Sequence, residues 1–281
     1  MDQCTVARLQ KNVLSALNLV LVLGVASASS PAMADSTQQR LRSLPPLEDF
    51  IPKEVRDRID QRKNSPEVEN DALPSVPART DLRYRDTAVK KQFGGTCSAF
   101  GLVAAMENVL GGHVDLSARD AWSKYHQYSA RTAEATLEKT GIVENQWWPQ
   151  NDIWPTPDYK HEPQYKIAHA RYLEDNVSNA VQALADGSAL YFGVATPADM
   201  VSCQAKIRPT SKITKGGHAF AVVGYELDSS EPAGGYFLVK NSWGPKCGEK
   251  GYQWFPFSLC KRSGMYCVMW AIDKTVANVP Q

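Results

Sequence analysis

Cysteine and histidine carry the chemistry to bond a substrate covalently and to move a proton near neutral pH, and the chain has six of the first and five of the second. Cys97 follows Gly94-Gly95-Thr96 and opens the run Cys97-Ser98-Ala99-Phe100-Gly101-Leu102-Val103. The thiol therefore sits where a tight loop meets a helix N-terminus, whose partial positive charge favours the thiolate. Gly94 and Gly95 leave room for a ligand backbone to approach the sulfur. Taken alone, Cys97 reads equally as an inert core thiol. A nucleophilic cysteine needs a base or ion-pair partner, and a third group to hold the imidazole. His113, His126, His161 and His169 lie in polar, loop-like sequence and read as solvated side chains. His218 differs, because it opens an apolar strand directly after Lys215-Gly216-Gly217. The next strand ends in Asn241-Ser242-Trp243-Gly244, which a hairpin returns beside His218. An Asn oxygen can accept the imidazole N–H and fix its tautomer without adding a charge. Trp243 is placed to cover that bond and keep water out.

The surrounding pattern supplies the elements that position these groups. Residues 97–110 are apolar almost all round, as in a buried helix, and Gly111-Gly112 stops them. A second helix is expected over 117–129 with Ser117 as its cap, and a third over 177–185 ending at Gly187. Strands then follow at 189–194, 218–226, 236–240, 252–255 and 266–272, with turn chemistry at 228–235. Helices early and strands late predict an α+β domain with an antiparallel sheet. Residues 35–75 are polar and Pro-bearing, with too few apolar residues for a core of their own. They read as a flexible extension or a docking propeptide, with a short helix opening near Ile51-Pro52-Lys53.

The chain has 281 residues, 31 basic against 30 acidic. A net charge of +1 excludes the broad basic field of a dedicated nucleic-acid binder, so no nucleic-acid partner is expected. Residues 1–34 have a positive start, an apolar stretch over 17–26 and Ala32-Met33-Ala34 before Asp35, the pattern of a cleaved secretory signal. The apolar stretch is short of the roughly 20 residues a spanning helix needs, and no later stretch reaches it, so no membrane attachment is expected after signal removal. Removal takes Asp2, Arg8, Lys11 and Cys4, leaving 29 basic and 29 acidic residues and five cysteines. The expected location is secreted or periplasmic. In an oxidising compartment Cys203, Cys247, Cys260 and Cys267 form two disulfides by one of three pairings, with Cys97 left over. No Cys-x-x-Cys pair occurs, so neither a thiolate zinc site nor a redox pair is expected, and no metal or cofactor is implied. Asn176-Val177-Ser178 is a glycosylation sequon of little weight.

Together, Gln92-Phe93-Gly94-Gly95-Thr96-Cys97-Ser98-Ala99-Phe100, Gly217-His218-Ala219-Phe220 and Lys240-Asn241-Ser242-Trp243-Gly244 resemble the papain-like cysteine peptidases. Cys247-Gly248-Glu249-Lys250-Gly251-Tyr252 is similar to that family's Trp-Gly-x-x-Gly-Tyr run, with Cys for the first Trp. Asp81-Leu82-Arg83, Leu116-Ser117, Gly141-Ile142 and Trp148-Pro149 echo further landmarks. His218 lies 121 residues after Cys97 and Asn241 lies 144 after it, near the roughly 130–150 typical of the family.

The resemblance implies a papain-like two-lobed fold over residues 76–281, a helical lobe facing an antiparallel-sheet lobe across the active-site cleft. It implies an extracytoplasmic peptidase acting on peptide or protein substrates through a Cys97–His218 ion pair oriented by Asn241, by way of an acyl-enzyme. The oxyanion would be held by the Cys97 backbone N–H and a glutamine. Gly95 and Trp243 would contact substrate. Residues 35–75 would cover the cleft as in a zymogen. Four departures stand out. Gln92 lies five residues before the cysteine where the family has six, leaving Lys91 in the usual place, and the neutral Gln92 amide is the favoured donor. Ser98 replaces an aromatic, no Cys-x-Gly-Gly segment occurs over 113–150, and the extension is only about 40 residues long. The alternatives are a papain-fold module that binds peptides or proteins with weak or no turnover, and a cell-wall amidase, which such an Asn-Ser-Trp-Gly turn disfavours.

Overall fold

A computed structural model describes residues 31–64, 72–125, 141–149 and 162–277 of the chain. Among the described residues seven strands form one sheet: β1 (Arg79–Asp81), β2 (Tyr165–Tyr172), β3 (Ala189–Pro197), β4 (Ile213–Leu227), β5 (Gly235–Lys240), β6 (Tyr252–Pro256) and β7 (Cys267–Ala277). Their order is β2-β7-β3-β4-β5-β6, with β1 paired to β4, and every pairing is antiparallel. Helix α4 (Cys97–Val109) lies across this sheet, and α5 (Ala118–Tyr125) packs beside it. Residues 126–129 of the expected second helix lie outside the described residues. Its cap is as expected, because Ser117 Oγ accepts the Asp120 N–H at 2.9 Å. Helix α6 (Val177–Ala185) is capped by Asn176, whose side chain accepts the Asn179 N–H.

Strand periodicity explains how the sheet is buried on both faces. Along β4, Ala219, Ala221 and Val223 turn toward α4, in a core with Leu102, Val103, Met106 and Leu116. Their neighbours Phe220 and Val222 turn the other way, joined by Tyr225 after an irregularity in the pairing past Val222, onto α6 and a group of rings from Phe192, Phe237 and Phe257. The small residues on the first face let a helix approach. A Cβ at Gly101 would lie 2.8 Å from the Phe220 backbone nitrogen, so only glycine permits α4 to come this close to β4.

The two layers are also joined by buried charge. Glu107 on α4 is 1% exposed, pairs with Lys90 and accepts the Leu116 N–H at 2.7 Å. Lys240 at the end of β5 donates to the Thr87 carbonyl at 2.9 Å and faces Asp86 at 3.5 Å. Asp86 in turn accepts from Asn108 and Tyr252, each at 2.8 Å. Burial pushes the Asp86 carboxyl up and the Lys240 ammonium down, so each charge depends on the other. Replacing Lys240 by Met leaves Asp86 buried without its cation. It is expected to cost about 3–5 kcal/mol of stability, read as a lowered urea midpoint at unchanged slope.

Residues 35–64 are folded rather than loose. Helices α1 (Pro31–Ser43), α2 (Leu47–Phe50) and α3 (Lys53–Lys63) run along the domain, and Phe50, Ile51, Val55 and Ile59 are buried in its core. Pro52 caps α3 rather than occupying its first turn. Helix α1 passes through Ala34 and Asp35, where the sequence pattern places the end of the signal. Residues 1–30 and 65–71 lie outside the described residues. Two disulfides, Cys203–Cys247 and Cys260–Cys267, select one of the three possible pairings, and Cys97 is free. Cys247 thus serves as a tether where the family-like run has a tryptophan.

Candidate active site

Cys97 is the first residue of α4, preceded by the Gly94-Gly95 loop, in which Gly94 takes a positive φ of 49°. Because Gly101 seats α4 on β4, the thiol arrives beside the strand carrying His218, and the Ala219 N–H points at its sulfur. The N–H groups of Ser98 and Cys97 itself point there too. Burial nevertheless dominates and pushes the thiol up to about 12, while these three donors pull it down.

His218 is fully buried on β4. Its Nε2 lies 2.9 Å from Asn241 Oδ1. Asn241 sits just past the end of β5, brought alongside by the β4–β5 hairpin, and its Oδ1 also accepts the Ser242 N–H at 2.7 Å. Trp243 stacks on the imidazole at 4.2 Å between centroids and 17° between planes, shielding the pair from water. Burial brings the imidazole down to about 4, opposed by the Asn241 hydrogen bond. His218 Nδ1 is buried with no hydrogen-bond partner among the described residues. The buried arrangement is therefore a neutral thiol beside a neutral imidazole whose free nitrogen is Nδ1.

The segment 90–92 runs antiparallel to the turn after Asn241. Gln92 donates its N–H to the Ser242 carbonyl at 2.7 Å, and Gly244 donates to the Lys90 carbonyl at 3.0 Å. Alternation then separates the two candidate donors. The Gln92 amide is held at the Cys97 loop, its Oε1 accepting from Ser242 Oγ at 2.6 Å and its Nε2 donating to the Gly94 carbonyl at 2.9 Å. Lys91 is exposed and lies over Gly244. Gly95 is half-buried in the same loop. Among the described residues no cluster of three His, Cys, Asp or Glu side chains could hold a metal ion.

The extension packs against the strand residues that precede His218. Gly217, next to His218, donates its N–H to the Pro45 carbonyl at 2.9 Å, and Pro46 bridges Gly216 in antiparallel fashion. A Cβ at Gly217 would lie 2.3 Å from the Phe50 ring, so the glycines before His218 admit the extension's backbone and ring together. Farther out, Arg40 donates to the Val201 carbonyl at 2.6 Å and lies 6.0 Å from the Trp243 ring. At the other end, Lys63 reaches the Arg262 carbonyl at 2.7 Å and Tyr266 donates to Asp60 at 2.9 Å. Burial holds the Lys63 ammonium down at about 8. Of the two readings the sequence left open for this segment, a loose extension or a docked one, residues 35–64 take the docked one, with Ile51, Val55 and Ile59 recurring every four residues among the buried side chains. The sequence reading missed Gln253, an uncharged residue inside an apolar strand.

A family model described as papain family cysteine protease matches residues 76–266. None of the curated proteins matches the sequence. Among solved structures, xylellain, a cysteine protease from Xylella fastidiosa, is 22% identical with a TM-score of 0.58, over 71% of this chain and 87% of that one. The ragweed pollen allergen Amb a 11, a cysteine protease in its proform, is 18% identical with a TM-score of 0.58, over 91% of this chain and 83% of that one. The bromelain protease from Ananas comosus, in complex with the E64 inhibitor, is 20% identical with a TM-score of 0.51, over 69% of this chain and 98% of that one.

Proposed function

The chain belongs to the papain family of cysteine proteases, and we propose that Cys97, His218 and Asn241 are its catalytic group, kept covered by residues 35–64 until these are displaced. The carrying observation is the His218 Nε2–Asn241 Oδ1 contact of 2.9 Å beneath Trp243, on the strand whose Ala219 N–H faces the Cys97 sulfur. With Nε2–H donated to Asn241, Nδ1 is the nitrogen left to take the thiol proton.

The step sequence follows from these atoms. Sγ passes its proton to His218 Nδ1, and the thiolate attacks the peptide carbonyl. The tetrahedral oxyanion is met by the Cys97 N–H and Gln92 Nε2, after which Nδ1–H protonates the leaving amine. Water then attacks the acyl-enzyme with His218 as base, and Sγ leaves. Gly95 and Trp243 line the path of the substrate. Gln92 is favoured over Lys91 because its amide is already aimed by Ser242 and Gly94 at the cysteine loop. Gln92→Ala is expected to lower kcat/KM about 10²–10³-fold, mostly in kcat, and Lys91→Ala to leave it within about twofold.

Two further readings belong here. The Amb a 11 proform likeness extends over 91% of this chain, further than the 71% shared with xylellain, which supports residues 35–64 as a proregion. The two disulfides favour an oxidising, extracytoplasmic location. The direct test is mass-spectrometric labelling of the trimmed protein by a thiol-directed epoxide. Labelling at Cys97 in wild type and none in Cys97→Ala is expected. A folded, trimmed protein whose Cys97 stays unlabelled at neutral pH sinks the proposal and leaves a binding module.

A further inference from the structure

Gln253 is an amide buried to 0% exposure in β6, among Val239, Phe237 and Phe255 of the sheet core. Burying such a group is tolerated only when its donors and acceptor are matched, and here all are. Gln253 Nε2 donates to the Gln204 carbonyl at 2.7 Å and the Met200 carbonyl at 3.3 Å. Its Oε1 accepts from Asn241 Nδ2 at 2.7 Å.

The order of constraint runs outward from the carbonyls. A backbone carbonyl can only accept, so the two carbonyls at 200 and 204 oblige Gln253 to turn its NH2 toward them. Its oxygen must then face Asn241, and Asn241 must present Nδ2 there. Oδ1 is thereby left for His218 Nε2, which has to carry the proton. The Ser242 N–H enforces the same orientation from the other side of the Asn241 amide. The Met200 carbonyl lies in α7 (Ala198–Val201) and the Gln204 carbonyl in the turn that follows it, which the Cys203–Cys247 disulfide and the Gly248 N–H to Cys203 carbonyl bond fasten to the segment before β6.

We propose that Gln253 is a positioning residue for the catalytic imidazole: it sets the Asn241 amide, and through it the His218 tautomer, from a disulfide-fastened turn. This rests on Cys97, His218 and Asn241 being the catalytic group. Without the Gln253 oxygen, Asn241 Nδ2 is buried without an acceptor and the amide swings, weakening the bond that holds up the His218 imidazolium. The acceptor loss lowers the imidazolium pKa, so the basic limb of the pH–kcat/KM profile moves to lower pH.

The test uses the activated enzyme, with active sites counted by the thiol-directed epoxide so that rates are per competent site. Gln253→Met is expected to lower kcat about tenfold with KM within about twofold, and to shift the basic limb down by about half a pH unit or more. In an Asn241→Ala background the same change is expected to cost less than about twofold, because the group it acts through is gone. Equal losses in both backgrounds, or an unmoved limb, overturn the proposal in favour of a packing role. Gln253→Glu keeps an oxygen for Asn241 Nδ2, and its protonated carboxyl can donate to one carbonyl. It is expected to hold kcat within about threefold of wild type whether or not the methionine variant folds, and a tenfold loss there also overturns the proposal. Should Asn241→Ala alone change nothing, the catalytic assignment fails instead, which is a distinct result.

Discussion

Cys97→Ala is expected to lower kcat/KM for peptide hydrolysis by at least about 10⁴-fold while the protein keeps its fold. The sulfur is the atom that would bond the carbonyl, and no other thiol is available among the described residues, since the four remaining described cysteines are in disulfides. The alanine variant removes one buried atom from a site lined by backbone N–H groups and should unfold at nearly the wild-type urea concentration. His218→Ala is expected to match the loss in rate, because nucleophile and base act as one unit and their effects do not add. Combining the two should therefore cost little beyond either alone. Initial rates on a fluorogenic peptide, normalised to folded protein, decide it. Hydrolysis above a hundredth of wild type in Cys97→Ala would place the nucleophile elsewhere.

Removing residues 31–64 should produce the second large change. In the covered chain the Cys97 thiol lies near 12 and the His218 imidazole near 4, so between those values both are neutral. Roughly 10⁻⁵ of the thiol is then ionised at pH 7, and its alkylation by iodoacetamide should climb about tenfold per pH unit through the neutral range. Uncovering admits water to the charged pair and relieves the desolvation that holds both groups neutral. The proton passes from sulfur to imidazole without net uptake, so the alkylation rate of the trimmed protein should be nearly flat around pH 7. Lower intrinsic nucleophilicity of a low-pKa thiolate offsets part of the gain, about 10³–10⁴ of some 10⁵. With access restored, a rise of at least about 100-fold at pH 7 is expected, accompanied by the onset of peptide hydrolysis. Phe50→Ala in the full chain is a milder version, since Phe50 is 1% exposed against Gly217 and its truncation typically costs about 3–5 kcal/mol. It should raise the alkylation rate partway. Equal rates and equal pH slopes for covered and trimmed protein would show that the extension leaves the site open.

Much of the domain was legible along the chain because its signals are local. The α4 helix is bounded by Thr96 and Gly111-Gly112, and the observed span of Cys97–Val109 follows from that punctuation. The strands expected at 189–194, 218–226 and 236–240 rest on mainly apolar runs, as strands buried on both faces require, and the structure extends them to 189–197, 213–227 and 235–240. Strand β2 escaped notice because it lies at the sheet edge and mixes Lys166, His169 and Arg171 with apolar residues. Strand β1 is three residues long and exists only through pairing with Thr80 opposite Tyr225. The docked helices looked too polar to form a core because theirs is shared: Val55 and Ile59 complete a surface that the domain supplies.

Residue type and order by themselves determined which atoms could react: a thiol at a helix start, an imidazole at a strand start and a carboxamide at a hairpin end. They also led to the expectation that the four late cysteines pair and Cys97 is left over, as the two disulfides show. Tertiary structure decided which of the three pairings forms, since only folding brings Cys203 to Cys247 across 44 residues. It decided the ionisation of the site as well. A helix N-terminus favours a thiolate, yet burial outweighs that local field and holds the thiol neutral. It likewise assigned Gln253 and Lys240 their partners, because the value of a buried amide or ammonium lies in groups far along the chain. Local chemistry is written in order; desolvation and long-range pairing come into being only when the chain closes on itself.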